Sequence, residues 1–235
     1  MHGARDRLSR LIELAGEDAP ERRRMLAVEL CDLLLDWPES YPASTREPFE
    51  ALLEKTMQMI DRQTRHALVW RIAERTDAPL EFLNEFYFDA SDEVRHAILL
   101  RNAELQERAA FDAEPGDLES AADGARLVEA ARTRPGEDFA HALTDIFGIG
   151  SHLAERIADD VSAEGLAIVA KGAHIGRAAF SAIALLTSGK ATPDASAVRL
   201  SAFDVVPQAA AERMLAFWKM RHGVAPIAAH NTQAA

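Results

Sequence analysis

Apolar residues recur along this chain at the three- and four-residue spacing that places them on one face of an α-helix. Four such stripes lie within residues 26–37, 49–60, 139–147 and 211–218. Pro38 follows the first stripe, and Pro207 and Gly223 bracket the last one, as expected of helix ends. The β-branched residues are dispersed, and no stretch of the sequence alternates strictly between apolar and polar positions. The pattern therefore predicts an all-α protein.

Short breaks separate the predicted helices, and most of them contain Pro, Gly or Asp. The breaks fall at residues 77–79, 89–92, 148–150 and 189–193. About a dozen short helices joined by brief connections is typical of stacked helical hairpins. We therefore expect a HEAT-like α-solenoid.

A longer break at residues 112–124 is acidic, contains one Pro and two Gly, and lacks an apolar stripe at its start. We therefore expect two helical halves: N-terminal repeats over residues 1–112, an acidic connection over 113–123, and a C-terminal half over 124–222. The remaining segment, 223–235, shows no periodicity, and we expect it to be mobile.

One helix is written twice, thirty residues apart. Residues 65–74 and 95–104 are identical at six positions, and the apolar face is kept as well. The apolar residues Leu68, Val69 and Trp70 align with Ile98, Leu99 and Leu100. The spacing suits a helix pair with its turns, and a unit of this size must stack on neighbours to bury its apolar face. In such a stack Ala67 and Ala97 would mark the close approach of two helices.

The repeated polar residues Arg65, His66, Arg95 and His96 have two interpretations. They form either a ligand-binding row on one face or a repeat-stacking ladder of salt bridges and hydrogen bonds. We favour the stacking role, because repeated residues in solenoids usually serve the repeat itself. The two arginines would then pair with carboxylates of the adjacent turn.

Within residues 64–105, a helix at 69–75 leads to an Ala78-Pro79 turn, a second helix at 80–86 and the repeat helix at 92–100. This order resembles the core of a bacterial HEAT-like helical-repeat family, DUF2336, catalogued as a domain of unknown function. Residues 160–171 and 209–221 are similar to it as well, so that the resemblance covers about two-thirds of the chain. The resemblance implies an α-solenoid in the bacterial cytosol, and it implies no catalytic residues.

The net charge is −12 and is concentrated in the first half of the chain. Residues 1–118 contain 15 basic and 25 acidic residues, a net of −10, whereas residues 119–235 contain 11 and 13, a net of −2. An acidic surface repels phosphate backbones and anionic membranes. The charge therefore argues against nucleic acid as the partner.

The single cysteine, Cys31, lies beside an apolar stripe, so that a buried thiol in a reducing compartment is expected. The N-terminal residues lack the apolar region of a signal peptide. The most apolar stretch, 166–186, is interrupted by Lys171, His174 and Arg177, which predicts a core helix and no membrane span. We therefore expect a cytoplasmic protein.

The sequence IFGIGSHLAERI at residues 146–157 resembles a helix-hairpin-helix phrase. In that motif the turn, here Gly148 and Gly150, presents backbone N–H groups to a DNA phosphate. Residues 137–160 nevertheless contain six acidic residues and one arginine, a net charge of −5. A tight turn between packed helices is the preferred interpretation, and DNA binding through this turn is the alternative.

Two further constellations point to chemistry, although neither is complete. A carboxylate and a histidine lie one helical turn apart in two places, Asp138 with His141 and His152 with Glu155. The carboxylate–histidine sites of helical metalloenzymes have this spacing. The sequence has no HExxH motif, Cys/His cluster or GxSxG elbow, and residues 188–192 only echo the end of a P-loop. We expect no cofactor, and a helical metalloenzyme is the second alternative.

The run Phe86-Tyr87-Phe88 places three aromatic residues before a turn. Three consecutive side chains cannot all face one core, so these residues are candidates for contact with a protein partner. Together with the repeat and the acidic charge, they favour a non-catalytic interaction scaffold or regulatory adaptor.

Overall fold

In a computed structural model, the structure describes residues 2–16, 19–38, 41–75, 78–109, 120–133, 137–189 and 192–223. Within these residues the chain is all-helical, as predicted, and its only β pairing is an isolated bridge between Ile149 and Gly223. The α-helices are α1 His2–Ala15, α2 Pro20–Leu35, α3 Glu47–Met59, α4 Arg62–Ala73, α5 Leu80–Glu85, α6 Asp92–Ala109, α7 Ser120–Thr133, α8 Glu137–Phe147, α9 Ser151–Ala158, α10 Glu164–Gly172, α11 Arg177–Leu186, α12 Pro193–Val205 and α13 Gln208–His222. Short 3-10 turns at Ala43–Thr45 and Tyr87–Asp89 precede α3 and α6.

The chain forms two compact units, one up to Ile98 and one from Leu99 onward, so that the division falls inside α6. The acidic connection expected at 113–123 lies mostly outside the described residues, and α7 already begins at Ser120. The segment 224–235 also lies outside them. Among the described helices, none has the length and apolar character needed to cross a bilayer.

Helix α2 is the centre of the first unit and packs against α1, α3 and α4. Its buried face carries the predicted leucine stripe, from Leu26 to Leu34, and includes Cys31. Burial raises the pKa of the Cys31 thiol to about 12, so the group stays protonated and behaves as a small apolar side chain.

Ion pairs along the edge of α2 show how α4 lies beside it. Arginine–aspartate pairs join the start, the later part and the end of α2 to matching parts of α4. The pairs are Arg24–Asp61 at 2.9 Å, Asp32–Arg71 at 2.9 Å and Asp36–Arg75 at 2.8 Å. Because the residue numbers rise together, the two helices run in the same direction.

Helix α10 is the centre of the second unit and packs against α9, α11, α12 and α13. Residues 165–170 are all buried, which is the pattern of a helix surrounded by others. The apolar stretch at 166–186, which was predicted to be one core helix, forms two helices: α10 is buried over residues 165–170, whereas Leu185 and Leu186 at the end of α11 are exposed. Gly172 permits the closest approach, because a Cβ there would lie 2.6 Å from the carbonyl oxygen of Ala211 in α13.

A buried arginine, Arg199 of α12, ties this unit together. Its guanidinium donates to the backbone oxygens of Ala184, Asp160 and Val161 at 2.9–3.1 Å, and to Thr187 Oγ1 at 2.9 Å. These acceptors lie at the C-terminal end of α11 and in the loop after α9. The positive charge therefore meets carbonyl groups that a helix end leaves without partners.

Candidate functional site

The repeated helix occurs at equivalent positions in α4 and α6. Residues at 68, 69 and 72 are buried in α4, and their counterparts at 98, 99 and 102 are buried in α6. The order of buried and exposed positions is almost the same along both helices. The sequence repeat is thus also a repeat of environment.

The two repeated arginines act in the same way. Arg65 Nη1 donates to the carbonyl oxygens of Met57 and Ile60 at 3.1 and 3.4 Å, and its Nε lies 3.2 Å from Asp89 Oδ1. Arg95 Nη2 donates to the carbonyl oxygen of Phe88 at 3.2 Å. Each arginine therefore holds the backbone that precedes its own helix, and Arg65 also reaches a carboxylate in the next turn.

The repeated histidines take a smaller part. The Nε of Arg62 lies 3.5 Å from His66 Nε2, at the limit of a hydrogen bond, and His96 is exposed. Neither position gives the close contact that a stacking ladder would require.

The other repeated residues lie on the solvent side of both helices. Ala67 and Ala97 are exposed, so the expected close approach of helices at these alanines is wrong. Trp70 and Leu100, which the sequence placed on the apolar face, are 47% and 45% exposed. The reason is helical geometry, since three consecutive residues span about 200° and cannot all face one core.

We call Ala67, Trp70 and Glu74 on α4, with Ala97, Leu100 and Glu104 on α6, the exposed repeat positions. In α4 the indole Nε1 of Trp70 donates to Glu74 Oε1 at 3.0 Å, which fixes the ring over the following turn. Ala67, which is exposed, lies one turn before Trp70 on the same side of α4. The result is a large apolar side chain between a small residue and a carboxylate.

The aromatic run is mostly core. Phe86 is 4% exposed and Tyr87 is fully buried, and Phe86 packs edge-on against Phe82 with ring centroids 5.3 Å apart. Phe88 is half-buried beneath the guanidinium of Arg95, 5.8 Å from its ring centroid. In this fold, two of the three candidate contact residues are therefore inaccessible to a partner, and only Phe88 is partly exposed.

The Gly148–Gly150 turn joins α8 to α9, and the structure explains why both positions are glycine. Gly148 has a φ of +66°, which favours glycine. A Cβ at position 150 would lie 2.9 Å from the carbonyl oxygen of His222, and Ile149 pairs with Gly223. The carbonyl end of α13 thus lies against the turn, and its negative partial charge disfavours a phosphate there.

The paired carboxylates and histidines flanking this turn are all exposed: Asp138, His141, His152 and Glu155. Among the described residues, none of these four side chains belongs to a cluster of three or more possible metal ligands. They therefore lack the convergent, partly buried geometry of a dedicated metal site.

A cluster of polar residues surrounds Lys171 at the end of α10. In the sequence, Lys171 was visible only as a charged residue that interrupts an apolar stretch. Lys171 Nζ donates to the carbonyl oxygen of Val206 at 2.6 Å and lies 4.9 Å from the ring centroid of Phe203. The guanidinium of Arg177 lies 6.0 Å from the same centroid and pairs with Asp204. Partial burial lowers the pKa of Lys171, Asp204 opposes that shift and Arg177 adds to it.

The rim of this cluster is formed by the turn after α10 and the start of α13. His174 has a φ of +55°, an uncommon backbone conformation for a residue other than glycine. Gln208 Nε2 donates to the carbonyl oxygen of Lys171 and to Glu212 Oε1, both at 2.9 Å, and lies 3.4 Å from His174 Nδ1. The signal in the sequence was the spacing of three basic or titratable residues within its most apolar stretch.

Comparisons of the chain with family models, with curated proteins and with solved structures give no match. The resemblance to a HEAT-like family therefore stays a prediction.

Proposed function

We propose that this chain is a non-catalytic interaction protein, a scaffold or regulatory adaptor, that binds a protein partner through Trp70 and the exposed side of α4. One observation carries the proposal: the repeat extends to the solvent side, where Trp70 and Leu100 are exposed to almost the same extent. Packing explains repetition at buried positions, but it places little constraint on the exposed alanine and glutamate that recur, or on the presence of a large apolar residue at both positions 70 and 100. Binding is a reason for such residues to recur.

The exposed repeat positions also indicate the chemistry of the partner. Tryptophan is the residue most enriched among those that dominate binding energies, because it offers a large, rigid apolar area with one polar atom. Glu74 and Glu104 lie one turn beyond the large apolar residue on each helix, and the chain carries a net charge of −12. A partner that inserts an apolar side chain flanked by basic residues fits this arrangement.

We further propose that α2–α3 and α4–α5 are successive helical hairpins of a HEAT-like α-solenoid. The parallel course of α2 and α4 supports this, because corresponding helices of stacked hairpins run in the same direction. The backbone contacts of Arg65 and Arg95 support it as well, since they recur with the repeat. The family resemblance adds a bacterial cytosolic setting.

Site-specific photo-cross-linking tests the proposed function. A photoreactive amino acid is placed at position 70 and, as a matched control, at position 59, because Met59 on α3 is 45% exposed. We expect position 70 to capture a protein that position 59 does not. If both positions capture the same proteins, the exposed side of α4 is not a binding face.

The captured partner then allows a direct measurement of affinity. We expect Trp70→Ala to raise the Kd at least about tenfold, because removal of a central tryptophan usually costs about 2 kcal/mol of binding energy. Trp70→Phe should retain most of the affinity, and Met59→Ala should leave it unchanged. Equal Kd values for Trp70→Ala and the unaltered protein would contradict the proposal.

A further inference from the structure

Glu74, on the exposed side of α4, has no cationic partner among the residues that the structure describes. Its carboxylate accepts one hydrogen bond, from the indole Nε1 of Trp70 at 3.0 Å, and that donor is neutral. The two nearest arginines in the sequence, Arg71 and Arg75, pair instead with aspartates in and just after α2, at 2.9 and 2.8 Å. The negative charge of Glu74 is therefore available to a cation from another molecule.

The same feature recurs in the second copy of the repeated helix. Glu104 on α6 is exposed and, within the described part of the chain, has no cationic partner either. The repeated arginines behave differently, because Arg65 and Arg95 both donate to backbone carbonyl oxygens. The repeat thus uses these arginines within the fold and leaves its glutamates exposed to solvent.

The ring of Trp70 adds a second group that attracts cations. The side chain is 47% exposed, and the hydrogen bond from its Nε1 keeps the ring and the Glu74 carboxylate side by side. The face of an indole ring attracts a positive charge more strongly than that of any other side chain. A cation beside Trp70 therefore meets the ring and a negative charge in one contact.

The geometry favours a guanidinium over an ammonium group. Nε1 lies on the edge of the indole ring, so the carboxylate that accepts from it lies beside the ring rather than over its face. A planar guanidinium that stacks on the ring can direct an N–H towards a carboxylate beyond the ring edge. The ammonium group of lysine is compact and strongly hydrated, and it does not stack.

We propose, on the basis of the function proposed above, that the protein partner contacts Trp70 and Glu74 through an arginine. Its guanidinium stacks on the Trp70 ring and donates to the Glu74 carboxylate. The net charge of −10 over residues 1–118 favours the approach of such a basic partner. The exposed side of α4 is thus a binding site for an arginine next to an apolar residue.

The test uses the isotopically labelled, full-length chain and two blocked tetrapeptides. One peptide has two leucines flanked by arginines, and the other has citrulline, the uncharged analogue of arginine, in both flanking positions. The chain has three tryptophans, and the indole N–H signal of Trp70 in an NMR spectrum is the one that Trp70→Phe removes. We expect this signal to give a Kd for the arginine peptide at least about fivefold below that for the citrulline peptide. Equal Kd values would overturn the proposal.

A substitution at position 74 tests the contact with the carboxylate. Glu74→Gln keeps an oxygen that can accept from the Trp70 indole, but it removes the charge. We expect it to raise the Kd of the arginine peptide about threefold or more and to leave that of the citrulline peptide within about twofold. Glu47→Gln, the matched control, removes an exposed carboxylate of α3 and should change neither Kd. The same loss in both variants, or for both peptides, would contradict a contact between Glu74 and the guanidinium.

Two further titrations test the ring and the choice of arginine. Trp70→Leu places at position 70 the residue that α6 has at position 100, and the backbone amide signals of α4 then report binding. We expect the Kd of the arginine peptide to rise about threefold, because leucine offers apolar area without an aromatic face. A lysine peptide should bind the unaltered chain more weakly than the arginine peptide. An unchanged Kd in the first titration, or equal values in the second, would refute stacking of a guanidinium on Trp70.

Photo-cross-linking at position 70 separates this contact from the proposed function. If a specific partner is captured there and binds Glu74→Gln as tightly as the unaltered protein, the arginine contact is wrong and the proposed function stands. If position 70 captures no protein that position 59 fails to capture, the proposed function is wrong, whichever tetrapeptide binds.

Discussion

The central helices of the two units are held by different kinds of contact. In the first unit, α2 is buried on one face, and its edge is joined to α4 by ion pairs such as Asp32–Arg71, whose side chains are 27% and 53% exposed. In the second unit, α10 is buried over residues 165–170, and Arg199 of α12, which is only 7% exposed, joins the end of α11 to the loop before α10. Surface ion pairs contribute little to stability, whereas a buried guanidinium that makes four hydrogen bonds is costly to lose.

This difference explains where each unit can present residues for binding. A helix buried on one face leaves its other side free, and α4 uses that side for Trp70. A helix buried all round offers no such surface, and the charged residue nearest the end of α10 is Lys171, which donates to a backbone oxygen. The two units therefore differ in how much of their central helices remains open to solvent.

Arg199→Ala should give the largest loss of stability. The substitution leaves the backbone oxygens of Ala184, Asp160 and Val161 without their donor and creates a cavity. We expect a decrease in the free energy of unfolding of about 3–4 kcal/mol, which urea titration followed by circular dichroism measures. Arg199→Lys should retain part of the stability that Arg199→Ala loses, because lysine keeps the charge but not the planar set of donors.

The matched substitution in the first unit is Arg71→Ala, which breaks an exposed ion pair between α4 and α2. We expect a loss of about 0.5 kcal/mol, and less at high salt. Losses of similar size for Arg199→Ala and Arg71→Ala would show that the two units are not stabilised by different contacts.

Gly172→Ala should give the next largest effect. A Cβ at this position would lie 2.6 Å from the Ala211 oxygen and 2.8 Å from the Leu215 Cβ, so that α13 must shift away from α10. We expect a net loss of about 1–2 kcal/mol, because overpacking exceeds the gain in helix propensity. Thermal unfolding measures this loss of stability as a decrease in Tm.

Gly124→Ala is the control for this substitution. Its Cβ would meet only the side chains of Ala179 and Ile175, at 3.3 Å, and those can move by a few tenths of an ångström. We expect Gly124→Ala to be neutral or slightly stabilising. A decrease in Tm equal to that of Gly172→Ala would mean that backbone contact is not the cause.

The helices were predictable from the sequence because periodicity and helix-ending residues are local signals. The stripe of α2 ends before Pro38, and the stripe of α13 lies between Pro207 and Gly223, as the structure has them. The orientation of adjacent apolar residues was not predictable in the same way. Trp70 follows two buried residues, and the packing of α4 against α2 and α5 decides which of the three faces water.

The candidate sites depend still more on contacts between distant parts of the chain. Lys171 meets the carbonyl oxygen of Val206, which is 35 residues away, and no local pattern predicts that pairing. The close approach at Gly172 arises in the same way, from the packing of α13 on α10. The sequence indicated the repeat that carries Trp70, but it did not distinguish the buried members of that repeat from the exposed ones.

The smallest expected effect, a pH dependence in the first unit, comes from Asp61 at the start of α4. Its carboxylate accepts from Thr64 Oγ1 at 2.7 Å, from the backbone N–H of Thr64 at 2.9 Å and from Arg24 Nε at 3.0 Å, and these bonds lower its pKa from 3.8 to about 2. A carboxyl group with a lowered pKa stabilises the folded state at pH values above its unfolded pKa, and this contribution disappears as the pH falls through the folded pKa.

Asp61→Asn keeps an acceptor for Thr64 but carries no charge. We therefore expect the Tm difference between the unaltered protein and this variant to be constant above about pH 5 and to shrink between about pH 4 and pH 2. A difference that stays constant down to about pH 2 would show that the charge of Asp61 does not stabilise the contact between α2 and α4.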